Sequence, residues 1–491
     1  MVVVVLDWWL WRWWFFNKER RDLKLNLAIL PPFVLYNAFF KGQKRQVIFY
    51  KRNYPDIFLS AASGMISLNF GRPFHSAAGR SPRRGSEKPA TRLTISCSSS
   101  LLPNKFKRAY TSVMIVPTGV GAAIGGYAGD ALPVARALAS VVDCLISHPN
   151  VLNAAMLYWP MSNVLYVEGY ALDRFAEGLW GLEPVHQNKV GLVLDAGIEE
   201  SLRVRHLQVV DAARASLGLP VIEYTVTDAA LQVEKWIDPK SGQSTGRIQR
   251  PDSLLRAVGT LVERSGVNAV AVVARFPDDD NSDDDVENYR QGKGIDVLAG
   301  VEAVISHLVV EKFKIPCAHA PALLPFPLSP SLCPKSAAEE IGYTFLPCVL
   351  AGLSSAPQYL VQKESLGRMS SSIVVGSDVD SVILPVDAFG GDAALAFASM
   401  RNNRRPLIIA VEENETVLSD TPEKLGITAV RVSNYWEAIG VVAAHKAGID
   451  PYSLRKDRID NVPHSIINTN TSSNNAYAAA AAAAAVCETI S

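Results

Sequence analysis

The chain has 491 residues, 48% of them hydrophobic and 20% charged, which suits a globular protein with a well-filled core. Lys plus Arg and Asp plus Glu balance at 48 each, so no global charge field points to nucleic acid or to an anionic membrane. Six cysteines, at 97, 144, 317, 333, 348 and 487, form no CxxC pair; they argue against a disulfide scaffold or a zinc ribbon and fit a reducing compartment.

Residues 1–64 differ in character from the rest of the chain. "VVVVLDWWLWRWWFF" gathers five of the nine tryptophans between 8 and 14, carries Asp7 and Arg12, and is too short to span a bilayer. We expect this region to be a gene-model extension ahead of Met65, or disordered, in preference to a membrane anchor. Residues 65–111 are rich in Ser and Arg with Glu87 as the one acidic residue, the composition of an organelle transit peptide or linker. "RLTISCSSS" around Cys97 favours the chloroplast, and hence the stroma, over the mitochondrion. The tail, 456–491, is Asn/Ser-rich and then contains eight consecutive alanines, 478–485; without two contrasting faces it specifies no docking and reads as disordered.

Between these ends, strand-like and helix-like segments alternate. Apolar runs at 113–116, 190–194, 268–273, 381–384 and 406–411 are near-continuous, as in strands covered on both faces. Val134, Leu138, Val141, Val142 and Leu145 recur at helical spacing. "NYWEAIGVVAAHKAG" opens with Asn434 and Glu437 in capping-box positions, places Trp436, Ile439, Gly440 and Ala443 on one face, and stops at Gly448. The expected fold is α/β, a largely parallel sheet flanked by helices. The expected division is a main domain over 112–360 and a smaller C-terminal α/β unit over 372–450, with 362–372 as linker and a shared sheet left open. The polar stretch 238–252 reads as a surface hairpin or loop.

"VPTGVGAAIGGYAGDALPVARALA", "LISHPNVLNAAMLYWP", "LYVEGYALDRFAEGLWGL", "VVARFPDD", "GVEAVISHLVVEKFKIPCAHAPAL", "YTFLPCVLAGLSSAPQYL" and "YWEAIGVVAAHKAGIDP" together resemble a domain-of-unknown-function family, number 3326, of cyanobacteria and plants. The similarity covers about 112–455. It implies cyanobacterial ancestry and a plastid address, and it carries no assigned activity.

Four places could hold chemistry. A short strand, a Gly-rich turn and a helix can aim backbone N–H groups at an anion, which makes Thr118, Gly119, Gly121, Gly125, Gly126 and Asp130 candidate ligand-binding residues. Ile124 stands where the third Gly of a dinucleotide fingerprint belongs, and no Lys-Ser/Thr pair follows as in a P-loop. The competing reading is a turn whose glycines satisfy backbone angles, with Asp130 as a helix cap. Next, Cys317 and His319 lie two apart on an extended segment near His307, open either to nucleophile-plus-base chemistry or to a buried thiol beside a hydrogen-bonded His. Arg275 and Asp278 follow a strand and could enter a cleft, ahead of an acidic run best read as a solvated loop. Last, "PVDAFGGDAA" repeats the Gly–Asp turn with Gly391 and Asp392, so two turns could face one cleft; His148, Asn150, Asn153, Glu168 and Asp387 are further polar residues in apolar settings.

The expected function is that of a plastid small-molecule binding protein or enzyme for a phosphate- or carboxylate-bearing metabolite. The alternative is a non-catalytic stromal interaction or regulatory protein. No cysteine or histidine spacing matches a metal module, no cofactor is named, and neither nucleic acid nor membrane is an expected partner. Substrate, reaction and oligomeric state leave no signature in the chain.

Overall fold

The computed structural model describes residues 108–456 except 128, 155–159, 279–287, 325–329, 338–344, 362–372 and 402–404, then 459, 461 and 462, and strand backbone within 25–69. The expected linker, most of the acidic run, and most of the two ends lie outside the described residues. The chain divides into two compact units, Met1–Ser100 and Leu101–Ser491. In the first, Leu25–Leu30, Phe33–Phe40 and Gln43–Tyr50 form an antiparallel meander, and Phe58–Ala62 pairs antiparallel with Met65–Asn69.

The second unit begins with β1 (Thr111–Met114), α1 (Leu132–Ala139), β2 (Cys144–Ser147), α2 (Pro149–Leu152), β3 (Val164–Tyr166) and α3 (Gly169–Ala176). Then come β4 (Gly181–Glu183), β5 (Val190–Leu194), α4 (Glu200–Leu217), β6 (Val221–Val226), the hairpin β7 (Val233–Ile237) and β8 (Ser244–Ile248), and α5 (Pro251–Ser265). It continues through β9 (Ala269–Arg275), α6 (Ala299–Phe313), β10 (Cys317–Ala322), α7 (Leu346–Ser354) and β11 (Gln358–Leu360). It closes with β12 (Val379–Pro385), α8 (Asp392–Ser399), β13 (Leu407–Val411), β14 (Val430–Val432) and α9 (Tyr435–Ala447).

Two parallel sheets result, flanked by helices. The six-stranded sheet has the order β3-β2-β1-β12-β13-β14, and the four-stranded sheet β6-β5-β9-β10. Every residue of β5 is buried, as are the first six of β9, because both faces are covered; this is why those segments read as unbroken apolar runs. Residues 372–450 thus share one sheet with β1–β3, and the four-stranded sheet is inserted between the two halves. The insertion's entry and exit are tied together: β4 pairs antiparallel with β11, and Leu182 exchanges backbone hydrogen bonds with Val374 at 2.8 and 2.9 Å. A continuous apolar core runs from Val113 and Val382 in one sheet to Val193 and Val272 in the other.

This strand order creates a switch point. The chain leaves β1 toward β2 and leaves β12, its neighbour, in the opposite direction toward β13, so the carboxyl ends of β1 and β12 open a crevice.

Three local expectations need correction. Helical spacing continues to Leu145, but α1 stops at Ala139: Ser140 Oγ donates back to Ala137 O at 2.6 Å, and Leu145 belongs to β2. Asp130 does not cap α1, which has no side-chain cap; its carboxylate instead accepts from Gly125 N at 2.6 Å. The cap of α9 is as expected, with Asn434 Oδ1 accepting from Glu437 N at 3.0 Å, and Gly448 closes it at φ +79°. Its inward face, however, is Tyr435, Ala438, Val441 and Val442, while Trp436 is 84% exposed. The hairpin expected within 238–252 is β7–β8, and Pro251 already opens α5.

Gly129 marks where the loop after β1 meets the segment after α2. It sits at φ +83°, and a Cβ there would come 2.3 Å from Ala154 Cβ, whereas Gly178 at φ +74° has open space. Gly129→Ala should therefore cost about 2–4 kcal/mol, strain plus overlap, against about 1–2 for Gly178→Ala, strain alone. Urea unfolding of both variants checks this, and equal losses would sink the close-contact account.

Candidate functional site

A cavity of about 310 Å³ lies at the switch point. Its floor is the segment after β1 (Ile115, Pro117, Thr118), the segment after β2 (His148–Asn150) and the segment after β12 (Leu384, Ala388). One wall is the start of α3 with the start of α8. The inserted lobe supplies the other: Ala299, Glu302, Ala303, Ser306 and His307 share one face of α6, with Ala318 and His319 of β10 beside them. Both Gly–Asp turns reach it, since Thr118, Gly126, Gly391 and Asp392 all line the cavity.

The first turn is held from within. Ala123 N donates to Glu415 O, Ile124 N to Asn414 Oδ1, Gly125 N to Asp130 Oδ1, and Asp130 N to Tyr127 O, at 3.0, 2.9, 2.6 and 3.2 Å. Asn150 Nδ2 donates to both Val116 O and Gly125 O, pinning the loop to the end of β1. Lys335 Nζ lies 3.1 Å from Asp130 and 2.5 Å from Ala123 O. Gly119 and Gly121, at φ +69° and +61°, face Ser244 and Ile295 of the inserted lobe, and a Cβ at Gly119 would sit 2.9 Å from Ser244 Cβ. These amides are committed to the fold, and the glycines supply backbone angles and close approach.

The polar centre is Glu168, only 2% exposed. As the N-cap of α3, it accepts from Ala171 N at 3.3 Å; its Oε1 also accepts from Ser306 Oγ at 3.3 Å and lies 3.0 Å from His307 Nε2. Gly169 makes room for the pair, since a Cβ there would lie 3.1 Å from His307 Nε2. Burial works to lower the His307 pKa, but the hydrogen bond and charge of Glu168, then Asp173 and Glu311, outweigh it and raise it above 6.5. Asp173, accepting from Ala393 N at 3.0 Å, is pushed up to about 6, by burial first and by the neighbouring Asp392 and Glu168 charges. A histidine raised above its ordinary pKa and an aspartate raised to about 6 thus share one cavity.

The two other histidines of the cavity lining are neutral. His148 Nε2 accepts from Val116 N at 3.0 Å, which requires the ring proton on Nδ1, and burial pushes its pKa down to about 4. Burial likewise takes His319 to about 3. Its Nε2 is buried without a hydrogen bond, 3.6 Å from Glu302 Oε1.

Cys317, Arg275, Asp278 and Asp387 lie apart from the cavity lining. Cys317 is 1% exposed, and its thiol is raised well above 9 by burial and then by Glu168, which favours the neutral thiol over a nucleophilic thiolate. Arg275 is clamped by Glu199 at 2.8 Å and Asp278 at 2.5 Å; none of the three lines the cavity. Asp387 holds Thr416 through its backbone N at 2.8 Å and its hydroxyl at 2.9 Å. Asp392 starts α8 and lies 3.8 Å from Arg174. Asp173, Glu302 and Ser306 were not singled out from the sequence, although 302 and 306 are polar positions four apart on an apolar helix. Among the described residues, no three His, Cys, Asp or Glu side chains converge to hold a metal ion.

With a folded pKa of about 6 against 3.8 for an ordinary Asp, Asp173 binds its proton more tightly in the native state. The stability this contributes is full below about pH 4 and lost as pH rises through 6. Asp173→Asn keeps an acceptor for Ala393 N and removes the titration. The variant should be about 1–2 kcal/mol more stable than the parent at pH 7.5, after allowance for partial solvent access, and no more stable at pH 4. Urea midpoints at the two pH values measure it, and an unchanged difference between them would remove Asp173 as the titrating group.

Among the described residues, no helix is long and apolar enough to cross a membrane. No solved structure matches the chain. An uncharacterized lipoprotein of Synechococcus sp. (strain ATCC 27144 / PCC 6301 / SAUG 1402/1) is 54% identical over 361 residues, which cover 73% of this chain and 98% of that protein. The model of the family described as "Protein of unknown function (DUF3326)" matches residues 111–455, the span that holds both parallel sheets and the cavity between them. The chain belongs to that family.

Proposed function

We propose that the cavity is the active site of a small-molecule enzyme working by general acid–base catalysis. His307, oriented by Glu168 and raised by it above its ordinary pKa, delivers a proton; Asp173, raised to about 6, accepts one. The observation that carries this reading is the Glu168–His307 contact of 3.0 Å, with Asp173 titrating near 6 in the same cavity. Groups poised near the working pH transfer protons best. The reaction class is proton transfer with bond rearrangement, such as elimination, isomerisation or hydrolysis, within a cavity at the switch point of a doubly wound sheet.

The lining also bears on the ligand's charge. Among the described residues it includes the carboxylates of Glu168, Asp173, Asp296, Glu302 and Asp392 and neither Lys nor Arg. Four amides of the first Gly-rich turn donate inside the protein. Both observations favour a ligand rich in hydrogen-bond donors over the phosphate- or carboxylate-bearing metabolite expected from the turn alone.

Incubation of the purified chain with a mixed metabolite extract, followed by mass spectrometry, tests the catalytic reading. At least one compound should be consumed by the parent and spared by His307→Asn, with turnover reduced about 100-fold or more. Consumption that is equal in parent and variant, or absent in both, would end it.

We further propose a chloroplast stromal location. It is supported by the Ser- and Arg-rich composition of 65–111 and by similarity to a cyanobacterial protein. A fluorescent protein fused behind residues 1–111 should accumulate in plastids of plant cells; a cytosolic or membrane pattern would count against it.

A further inference from the structure

We infer that the ligand is a primary amine whose ammonium group lies between His319 Nε2 and the Glu302 carboxylate, donating to both. The inference deepens the active-site reading above and rests on the same cavity. It assigns His319 and Glu302 to recognition, apart from the proton-transfer pair His307 and Asp173.

The argument starts from His319. Its side chain is 3% exposed and lines the cavity, yet Nε2 makes no hydrogen bond. A buried polar atom left in this way costs free energy, and a site built to be completed by a ligand is one reason for it to persist. Glu302 Oε1 lies 3.6 Å away, beyond hydrogen-bond reach, so the two do not satisfy each other directly. With the neutral ring's proton assigned to Nδ1, Nε2 presents a lone pair opposite the Glu302 carboxylate oxygen, and the two are acceptors across a short gap. A donor with several hydrogens serves both at once, and an ammonium group has three.

Charge points the same way. Among the described residues, five carboxylates and no Lys or Arg line the cavity; Glu168 is held by His307, and Asp392 lies 3.8 Å from Arg174. Burying a second anion in that field is unfavourable, while a cation is drawn in. A metal ion fits less well. It needs three or more converging ligands, and no such group occurs among the described residues, where the carboxylates are spread over the start of α3, the segment before α6, α6 itself and the start of α8. Dispersed single carboxylates match a polyatomic cation with its donors at one end and carbon along its length. The apolar stretch between, with Ile115, Leu172, Ala303 and Ala394, gives that carbon a surface.

Isothermal titration calorimetry on the full chain at pH 7.5 with three four-carbon probes separates the charge classes. Putrescine should bind saturably, at least tenfold tighter than butane-1,4-diol, and succinate should not bind. Glu302→Gln should weaken putrescine at least tenfold, and putrescine should shift the His319 side-chain NMR signals of the parent. The inference is overturned if the diol or succinate matches putrescine, if putrescine does not saturate, or if magnesium ion alone displaces it. Because the probe comparison uses the unaltered chain, it stands whether or not the variant folds. Amine binding with no turnover of any compound would retire the catalytic reading and leave the amine assignment in place. Turnover of a neutral or anionic compound that His307→Asn abolishes would do the reverse.

Discussion

The cavity depends on one buried carboxylate. Glu168 follows β3, caps α3 in the first lobe, and reaches across to Ser306 and His307 on α6 of the inserted lobe. A charge removed from water is tolerated only with close partners, and Glu168 has a backbone N–H, a hydroxyl and an imidazole. The partners that satisfy it therefore also set the distance between the lobes. Gly169 is part of the same constraint, because a side chain there would crowd His307. Helix capping, interlobe contact and the protonation of His307 rest on the same atoms.

Around that centre, electrostatics separate the cavity's groups into two sets. Burial alone drives His148 and His319 to about 4 and 3, fixing them as neutral rings. His307 escapes the same fate because of Glu168, and Asp173 rises because it is buried among acids. Pairs of titratable groups pushed apart by their surroundings are how a single site assigns proton donors and acceptors. The inward thiol of Cys317 follows the burial rule and belongs to the core.

The Gly-rich turn after β1 also takes its meaning from its partners. Its strand–turn–helix form is that of an anion cradle, and the strand order around it is that of a doubly wound sheet. Yet Asn414, Asp130, Glu415 O and Tyr127 O take up its amides, and Lys335 neutralises Asp130 from outside. The turn lines the cavity with Thr118, Gly126, Tyr127 and Gly129, while the amides of Ala123, Ile124, Gly125 and Asp130 are taken up inside the protein. A fold-level likeness to nucleotide-binding sheets therefore carries no ligand with it.

Much of the fold is legible in the residues themselves. Continuous β-branched runs such as VGLVL at 190–194 mark buried parallel strands, because only strands covered on both faces need no polar alternation. Asn434 and Gly448 bracket α9 through local hydrogen bonds and a positive φ, which depend on a few neighbouring residues. The two Gly–Asp turns are visible for the same reason. Sequence pattern could not choose the inward face of α9 or end α1 before Leu145, because strand pairing and packing partners decide both. The insertion of one sheet into another is likewise a tertiary matter: Val113 pairs with Val382, contacts whose loop-closure entropy no local signal records. The site follows from that pairing. Only when β12 lies beside β1 do Asp173, Glu302, His307 and His319 line one cavity, and only there do burial and neighbouring charges shift Asp173, His307 and His319.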